Sequence, residues 1–223
     1  MTREEVRTRI EQIGIIPAIR VSSPEDALFA AEAVAGGGIP IVEVTMTVPG
    51  AIDVIAHLAR SGADLIVGAG TVWDIDSARR CIDAGAKFLT STGLDLKVVE
   101  FAEREKVVVF PGALTPSEVM TAWKAGVDFV KVFPCAEMGG PAYIKTLKSP
   151  FPHVPLIAAG GVNEQNLAEF FLAGATAVGI GAHLIPSKAI ALRQARRINQ
   201  LAVRCLHTVQ EARKLKASGQ GGA

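Results

Sequence analysis

The 223-residue sequence is poor in aromatic residues, in cysteine and in uninterrupted apolar runs. Phe, Trp and Tyr make up only 5% of it, so we do not expect an aromatic surface on which single-stranded nucleic acid could stack. Charge is balanced, with 23 Lys and Arg against 22 Asp and Glu, which argues against nucleic acid or an acidic membrane as a partner.

The cysteines are three in number and widely separated, at Cys81, Cys135 and Cys205. They match no disulfide framework or zinc motif, and we therefore expect the chain to work in the reducing cytoplasm. The four histidines are scattered, so no metal site is expected. The longest apolar region, Phe170 to Pro186, is interrupted by glycines and His183, which is typical of a helix followed by a strand rather than a membrane span.

Short Val- and Ile-rich runs alternate with Ala-rich amphipathic segments along the chain, which indicates an α/β protein. Eight runs have the composition of buried strands: Ile15–Arg20, Ile39–Thr45, Leu65–Gly70, Phe88–Ser91, Val107–Phe110, Phe129–Phe133, Leu156–Ala159 and Ala177–Gly181. The segments between them are predicted helices: Pro24–Ala35, Ala51–Ser61, Asp74–Ala84, Asp95–Glu105, Pro116–Lys124, Ala142–Lys148, Glu164–Ala173 and a last helix from Ser187 to beyond Arg204.

Each predicted strand and its helix form a unit of roughly 20–27 residues, the length of a βα module in a parallel barrel. Eight such units predict a (β/α)8 TIM barrel, with residues 1–213 as one domain and an extra helix before Ile15 at its N-terminal end. A doubly wound open sheet is the alternative, but no Gly-x-Gly-x-x-Gly follows the first predicted strand. Residues 214–223 are predicted to be a flexible C-terminal tail.

Two charged residues are expected on the inner face of the barrel, where catalytic side chains lie at the C-terminal strand ends. They are Glu43 in the second predicted strand and Lys131 in the sixth. Burial disfavours the ammonium form, which makes the amine of Lys131 a candidate nucleophile for a carbonyl substrate. A lysine that snorkels from the strand end, or a structural ion pair, is the alternative. The position of both residues favours the catalytic interpretation.

Glycines follow the seventh and eighth predicted strands, at Gly160, Gly161 and Gly181. Loops at these positions of a barrel commonly bind phosphate, because backbone N–H groups supply donors and glycine allows close approach. The alternative is a plain tight turn. Two other residues are expected near this end of the barrel. His183 could cap the start of the last helix, and Cys135 is expected to be a small buried residue.

Four motifs then occur together, in the order Glu43-Val44-Thr45, Val67-Gly68-Ala69-Gly70-Thr71, Val130-Lys131-Val132-Phe133-Pro134 and Gly160-Gly161-Val162. In this combination the chain resembles the 2-dehydro-3-deoxyphosphogluconate (KDPG) and 4-hydroxy-2-oxoglutarate (KHG) aldolases, over roughly residues 10–190. The resemblance implies a class I aldolase that forms a Schiff base, needs no metal or organic cofactor, and assembles as a homotrimer.

The resemblance also implies roles for individual residues. Lys131 is similar to the Schiff-base lysine, and Glu43 to the general acid and base that acts through water. Thr71 is similar to the residue that holds the 2-oxo acid carboxylate, with Arg20 nearby at the same mouth. Phe133 resembles the aromatic wall beside the imine. The backbone donors at the phosphate end are expected to be Gly160, Gly161 and Gly181.

The chain departs from the family pattern at four positions around the expected pocket. Thr47 stands where many members have Arg, and Thr92 follows Ser91 where Ser-Pro is common. Ala159 replaces the usual Thr before the glycine pair, and Ala182 the usual Ser after the eighth strand. These last two changes remove hydroxyls, at about 1 kcal/mol or more per lost hydrogen bond. Substrate contacts are still expected at Thr47, Thr92 and Ala182.

By this resemblance the chain is expected to cleave a 4-hydroxy-2-oxo acid to pyruvate and an aldehyde. KDPG would release glyceraldehyde 3-phosphate and KHG would release glyoxylate, and the altered strand ends leave both open. A third candidate substrate is 2-dehydro-3-deoxy-6-phosphogalactonate. Two other classes of function are a phosphate-binding barrel isomerase or synthase without imine chemistry, and a non-enzymatic binding module. The joint presence of Glu43, Thr71 and Lys131 argues against the last.

Overall fold

A computed structural model of the chain describes residues 1–61 and 64–219. No helix in these residues is both long enough and apolar enough to cross a bilayer. The strand segments are β1 (Ile15–Ile19), β2 (Ile41–Thr45), β3 (Ile66–Gly70), β4 (Phe88–Thr90), β5 (Val108–Phe110), β6 (Gly112–Ala113), β7 (Val130–Val132), β8 (Leu156–Ala159) and β9 (Ala177–Ile180). They pair in parallel in the order β5-β4-β3-β2-β1-β9-β8-β7-β6.

The segments β5 and β6 are two halves of one barrel strand, separated by Pro111. The first half pairs with β4 and the second with β7, so chain continuity at Pro111 closes the ring. The N–H of Lys131 donates to the carbonyl of Pro111 at 3.0 Å and that of Phe133 to Ala113 at 3.2 Å. The predicted barrel of eight strands is therefore confirmed, and its fifth strand extends beyond the predicted end at Phe110.

Ten helices surround the barrel or close its ends in the described residues. They are α1 (Arg3–Ile13), α2 (Pro24–Gly36), α3 (Ala51–Arg60), α4 (Ile75–Asp83), α5 (Leu96–Arg104), α6 (Pro116–Lys124), α7 (Pro141–Lys148), α8 (Leu167–Leu172), α9 (Ser187–Ala191) and α10 (Ala195–Ala217). Several begin at a side-chain cap, such as the capping box of Thr115 and Glu118 before α6. α8 is shorter than predicted because Asn163 and Asn166 bond to the backbone N–H groups of a turn before it.

The prediction of one continuous last helix was wrong, because Arg193 separates α9 from α10. Its φ of 49° lies in the left-handed region, which a helix does not accommodate. The guanidinium of Arg193 forms an ion pair with Asp26 at 2.9 Å and lies 4.9 Å from the ring centre of Phe29. Both partners belong to α2, so the break lets the chain end pack against this helix.

The helix α10 continues to Ala217, so the predicted domain boundary at residue 213 falls inside it. Val209 and Ala212 are buried, and lysines in the last turn suit the negative end of the helix dipole. The predicted tail therefore begins as helix, and its residues 220–223 lie outside the described residues.

The predicted extra helix α1 packs at the N-terminal end of the barrel through Val6, Ile10 and Ile13. Arg3 donates to Asp128 from Nε at 3.0 Å and from Nη2 at 2.8 Å, and it also pairs with Glu103. Hydrogen bonding to Glu103 and to Asp128 raises the pKa of Arg3. The N–H of Val109 donates to Asp128 at 3.0 Å, so this carboxylate joins α1 to the strand beside the closure.

Three phenylalanines fill part of the barrel interior. The rings of Phe88 and Phe110 stack at 5.3 Å, and Phe129 meets Phe110 edge-on at 6.0 Å. A Cβ on Gly68 would lie 2.2 Å from the ring of Phe88, so the absence of a side chain there makes room for this stack.

Candidate active site

A cavity of about 330 Å³ lies at the C-terminal ends of the strands. Parallel strands bring their carboxyl ends to one side of a barrel, so residues far apart in the chain meet there. The lining residues are Ala18, Arg20, Glu43, Lys131, Phe133, Ala159, Gly160, Gly161, Val162, Gly179, Gly181, Ala182, His183 and Ile185.

Lys131 points into this cavity from the middle of β7. Lys131 is 7% exposed and Glu43 is 4% exposed. The Nζ of Lys131 lies 3.9 Å from Oε1 of Glu43. This separation permits charge attraction but is too long for a hydrogen bond. The predicted meeting of the two residues therefore occurs, with the amine left open toward the cavity.

The position of Glu43 depends on a glycine in the neighbouring strand. β2 and β3 pair with Glu43 opposite Gly68 and Thr45 opposite Gly70. A Cβ built on Gly70 would lie 1.8 Å from Oε1 of Glu43 and 2.4 Å from its Cδ. The carboxylate thus occupies the space that a side chain at residue 70 would fill.

Phe133 follows β7 directly and forms a wall beside the amine. The ring centre lies 5.8 Å from Nζ of Lys131, within the range of a cation–π contact. The ring also faces the glycine loop, since a Cβ on Gly160 would lie 3.3 Å from it. Lys131, Glu43 and Phe133 thus form one polar and aromatic corner of the cavity.

Gly160 and Gly161 form the loop after β8 and have φ values of 86° and 78°. The loop after β7 holds them in place, since the N–H groups of Cys135 and Ala136 donate to the carbonyls of Ala159 and Gly160. A Cβ on Gly161 would lie 2.2 Å from that of Ala136. Within the described residues, the N–H of Gly161 donates to no protein acceptor, which leaves it for a ligand.

Arg20 and His183 lie beyond the ends of neighbouring strands. β1 pairs with β9, Arg20 directly follows β1, and His183 lies in the turn three residues beyond the end of β9. Both side chains are exposed and line the cavity, and Ala182 lies beside them.

Three of the predicted substrate contacts, all in the described part of the chain, do not line this cavity. Thr47 is exposed and shares a hydrogen bond of 2.7 Å with the hydroxyl of Thr45 at the end of β2. Thr92 is exposed in the loop after β4. Thr71 directly follows β3 with a φ of 61°, a strained value for a β-branched residue that is often found at functional sites.

Cys135 lies behind the mouth rather than in the cavity. It is buried, and this burial raises the pKa of its thiol to about 12. The sulfur contacts the carbonyl of Gly140 at 3.5 Å. In residues 1–61 and 64–219, no group of three or more His, Cys, Asp or Glu side chains is placed to hold a metal ion.

Several lining residues were not among the predicted contacts: Ala18, Val162, Gly179, His183 and Ile185. Alternation along the strands could have identified Ala18, which precedes Arg20 by two, and Gly179, which precedes Gly181 by two. His183 and Ile185 lie beyond β9 in a loop, where strand alternation gives no information.

The arrangement suits addition of an amine to a carbonyl compound. The cavity provides a buried amine, a carboxylate close enough to exchange protons through one water molecule, and free backbone donors some distance away. An elongated anionic substrate with a carbonyl near one end would contact all three.

Comparisons with known proteins agree on one family. The model of the KDPG and KHG aldolase family matches residues 6–201. The 2-dehydro-3-deoxy-phosphogluconate aldolase of Treponema pallidum is 31% identical over 90% of this chain and 95% of its own. The KHG/KDPG aldolase of Escherichia coli K12 is 31% identical over 84% and 88%. The KDPG aldolase of Legionella pneumophila, solved with pyruvate captured as a covalent carbinolamine, has a TM-score of 0.82 at 31% identity and covers 88% of this chain and 96% of its own.

Proposed function

The chain belongs to the KDPG and KHG aldolase family and is an aldolase, and on that premise we propose that it cleaves 4-hydroxy-2-oxo acids through an imine on Lys131. The observation that carries this proposal is the buried amine of Lys131, open to the cavity and 3.9 Å from Glu43. The covalent carbinolamine of the Legionella pneumophila enzyme supports the same chemistry.

In the proposed reaction, the amine of Lys131 adds to the C2 carbonyl, and loss of water gives a protonated imine. Glu43, through a water molecule, takes the proton of the C4 hydroxyl. The C3–C4 bond breaks, its electron pair moves toward the imine, and the aldehyde leaves. The remaining enamine takes up a proton at C3, and water then hydrolyses the imine to release pyruvate and restore the amine.

The other predicted residues take supporting roles in this proposal. Phe133 shields the imine on one side, and the N–H groups of Gly160 and Gly161 bind the far end of the substrate. We assign the binding of the 2-oxo acid carboxylate to the region of Thr71. This residue directly follows β3, in which Gly70 leaves space for Glu43. Thr47 and Thr92 are exposed and do not line the cavity, so they would contact only a substrate that extends from it.

Borohydride reduction in the presence of pyruvate tests the imine. The wild-type protein should gain the mass of a reduced pyruvate adduct, and Lys131→Ala should not. Lys145→Ala, which removes an exposed lysine of α7, is the matched control and should retain the adduct. An unmodified wild-type protein, or an adduct that persists in Lys131→Ala, would contradict the proposed mechanism.

The substrate is proposed to be KDPG or KHG. Ala159 and Ala182 supply no hydroxyl for a phosphate, whereas the N–H of Gly161 in the glycine loop supplies a donor for phosphate or carboxylate. Cleavage rates for KDPG, KHG and 2-dehydro-3-deoxy-6-phosphogalactonate, measured side by side, would rank the three candidates.

We further propose a homotrimer that works in the cytoplasm. A designed cage assembled from symmetric oligomeric domains contains a region similar to this chain, with a TM-score of 0.84 at 28% identity. Trp73, in the loop after β3, is 71% exposed, and large exposed aromatic residues are common at subunit interfaces. The proposed cytoplasmic location is supported by the three free cysteines, which are typical of a reducing compartment. Sedimentation equilibrium should give three times the chain mass, and Trp73→Asp should lower it.

A further inference from the structure

The wall of the cavity formed by β1 and β9 carries two nitrogen donors to which the steps above assign no role. Arg20 directly follows β1, His183 lies in the turn after the neighbouring strand β9, and both side chains line the cavity. Strand β8 lies between β9 and β7, the strand that carries Lys131, whereas β1 pairs directly with β2, the strand that carries Glu43.

The rest of this wall is apolar or backbone. Ala159, Val162, Gly179 and Ile185 offer no side-chain hydrogen bond, and neither does Ala182. The wall therefore has its side-chain donors at the rim, on Arg20 and His183, instead of at the ends of β8 and β9. A substrate anchored at Lys131 would bring its distal end to these donors.

We propose that His183 is a specificity-determining contact that, together with Arg20, binds the anionic terminus of the aldehyde half of the substrate. This inference rests on the proposed function and adds to it the residue that selects an anionic aldehyde. A guanidinium can donate two parallel hydrogen bonds to phosphate or carboxylate, and an imidazole N–H adds a third from the adjacent strand. The glycine loop after β8 lines the same cavity, and the backbone N–H of Gly161 is a further donor there.

Kinetics of pyruvate addition to three aldehydes test this role: glyceraldehyde 3-phosphate, glyoxylate and uncharged glyceraldehyde. His183→Ala should raise KM for an anionic aldehyde by about tenfold with little change in kcat, because a charge-assisted hydrogen bond is lost. The KM for uncharged glyceraldehyde should stay within about twofold of wild type. His183→Gln, which keeps an N–H donor, should restore most of the affinity.

The pattern across the aldehydes identifies the anion. A rise in KM for glyceraldehyde 3-phosphate alone indicates a phosphate contact, and a rise for glyoxylate as well indicates a contact that also serves carboxylate. His207→Ala, which removes an exposed histidine of α10, is the control and should behave as wild type. Equal losses with all three aldehydes, or no loss with any, would overturn the proposal.

Binding of glycerol 3-phosphate separates this inference from the imine mechanism, because the compound has no carbonyl and cannot react with Lys131. Calorimetry should show binding to the wild-type protein and affinity weakened by about tenfold in His183→Ala. Equal affinity in the two proteins, or no binding to the wild type, contradicts the role of His183 even if pyruvate is trapped normally. A missing pyruvate adduct with intact, His183-dependent binding would contradict only the imine mechanism.

Discussion

Lys131, in the middle of β7, and Asp128, two residues before this strand begins, are both charged, and each is 7% exposed. Asp128, just before β7, accepts hydrogen bonds from the N–H of Val109 and from the guanidinium of Arg3 at 2.8 to 3.1 Å. In the described part of the chain, Lys131 lies within ion-pair distance of one carboxylate, Glu43, at 3.9 Å. Burial alone therefore does not distinguish a structural charge from a reactive one, whereas the number of satisfied hydrogen bonds does.

The largest expected effect is on activity, and it comes from replacing Lys131 and Glu43, whose charges are only loosely paired. The double variant Lys131→Met with Glu43→Gln should lose aldolase activity by more than about 10⁴-fold, because the proposed nucleophile is gone. Its free energy of unfolding should be unchanged or higher, since replacing a buried ion pair by uncharged groups is often neutral or stabilising. Urea unfolding, followed by circular dichroism, measures this. A clear loss of stability would show that the pair holds the barrel together.

For Asp128 we expect the opposite result, a loss of stability with activity retained. Asp128→Ala should lower the free energy of unfolding by about 3 kcal/mol, because it leaves the N–H of Val109 and part of Arg3 without a partner. The kcat of the folded enzyme should stay within about threefold of wild type, since Asp128 is remote from the cavity. Asp83→Ala, at an exposed carboxylate of α4, is the control for stability. Unchanged stability in Asp128→Ala would break the comparison.

A smaller effect should follow from moving Glu43 without changing it. A methyl group at residue 70 would displace the carboxylate, so Gly70→Ala should lower kcat by about 10²-fold, toward the value of Glu43→Gln. The pyruvate adduct on Lys131 should still form. Gly93→Ala is the matched control, because a Cβ there meets no atom within 4 Å. A Gly70→Ala enzyme with normal kcat would show that the position of Glu43 is not critical.

The smallest effect is expected at Cys135, a third buried group close to β7. A pKa raised to about 12 leaves little thiolate near neutral pH, so iodoacetamide should modify this thiol slowly in the native protein and readily after unfolding. The reaction should accelerate as pH rises toward that pKa. Mass spectrometry of the alkylated peptide follows it, and Cys135→Ala should keep kcat within about twofold. Fast native alkylation would mean that Cys135 reaches the cavity.

The sequence was sufficient to predict the barrel, the extra helix and the family, because these depend on local patterns. Apolar runs, glycine caps and repeat length are properties of neighbouring residues. All eight predicted strands are present, with ends that differ by at most two residues except in the fifth strand, which continues to Ala113. The breaks at Pro111 and Arg193 could not be predicted in this way. Each depends on a partner distant in the chain: β7 for the split strand, and α2 for the split helix.

The candidate site shows the same limit. Alternation predicts that Glu43 and Lys131 face inward, and the structure brings them together. It gives no distance between them, and it does not reveal that Gly70 provides the space for Glu43. The position of Arg20 depends on the register of β1 with β9, which local sequence does not contain. Thr47, Thr71 and Thr92 were expected in the pocket by resemblance, yet they lie outside the lining of this cavity.

The pairing of β1 with β9 has a consequence for how the protein is made. A ribosome synthesises β1 first and β9 last among the barrel strands, so the first strand has no partner on one side until almost the whole chain has emerged. During that interval β1 is an open edge of apolar residues that could pair with another nascent chain. The wall that carries Arg20 and His183 forms only at closure, so a chain truncated before β9 would be an aggregation hazard rather than a less specific enzyme.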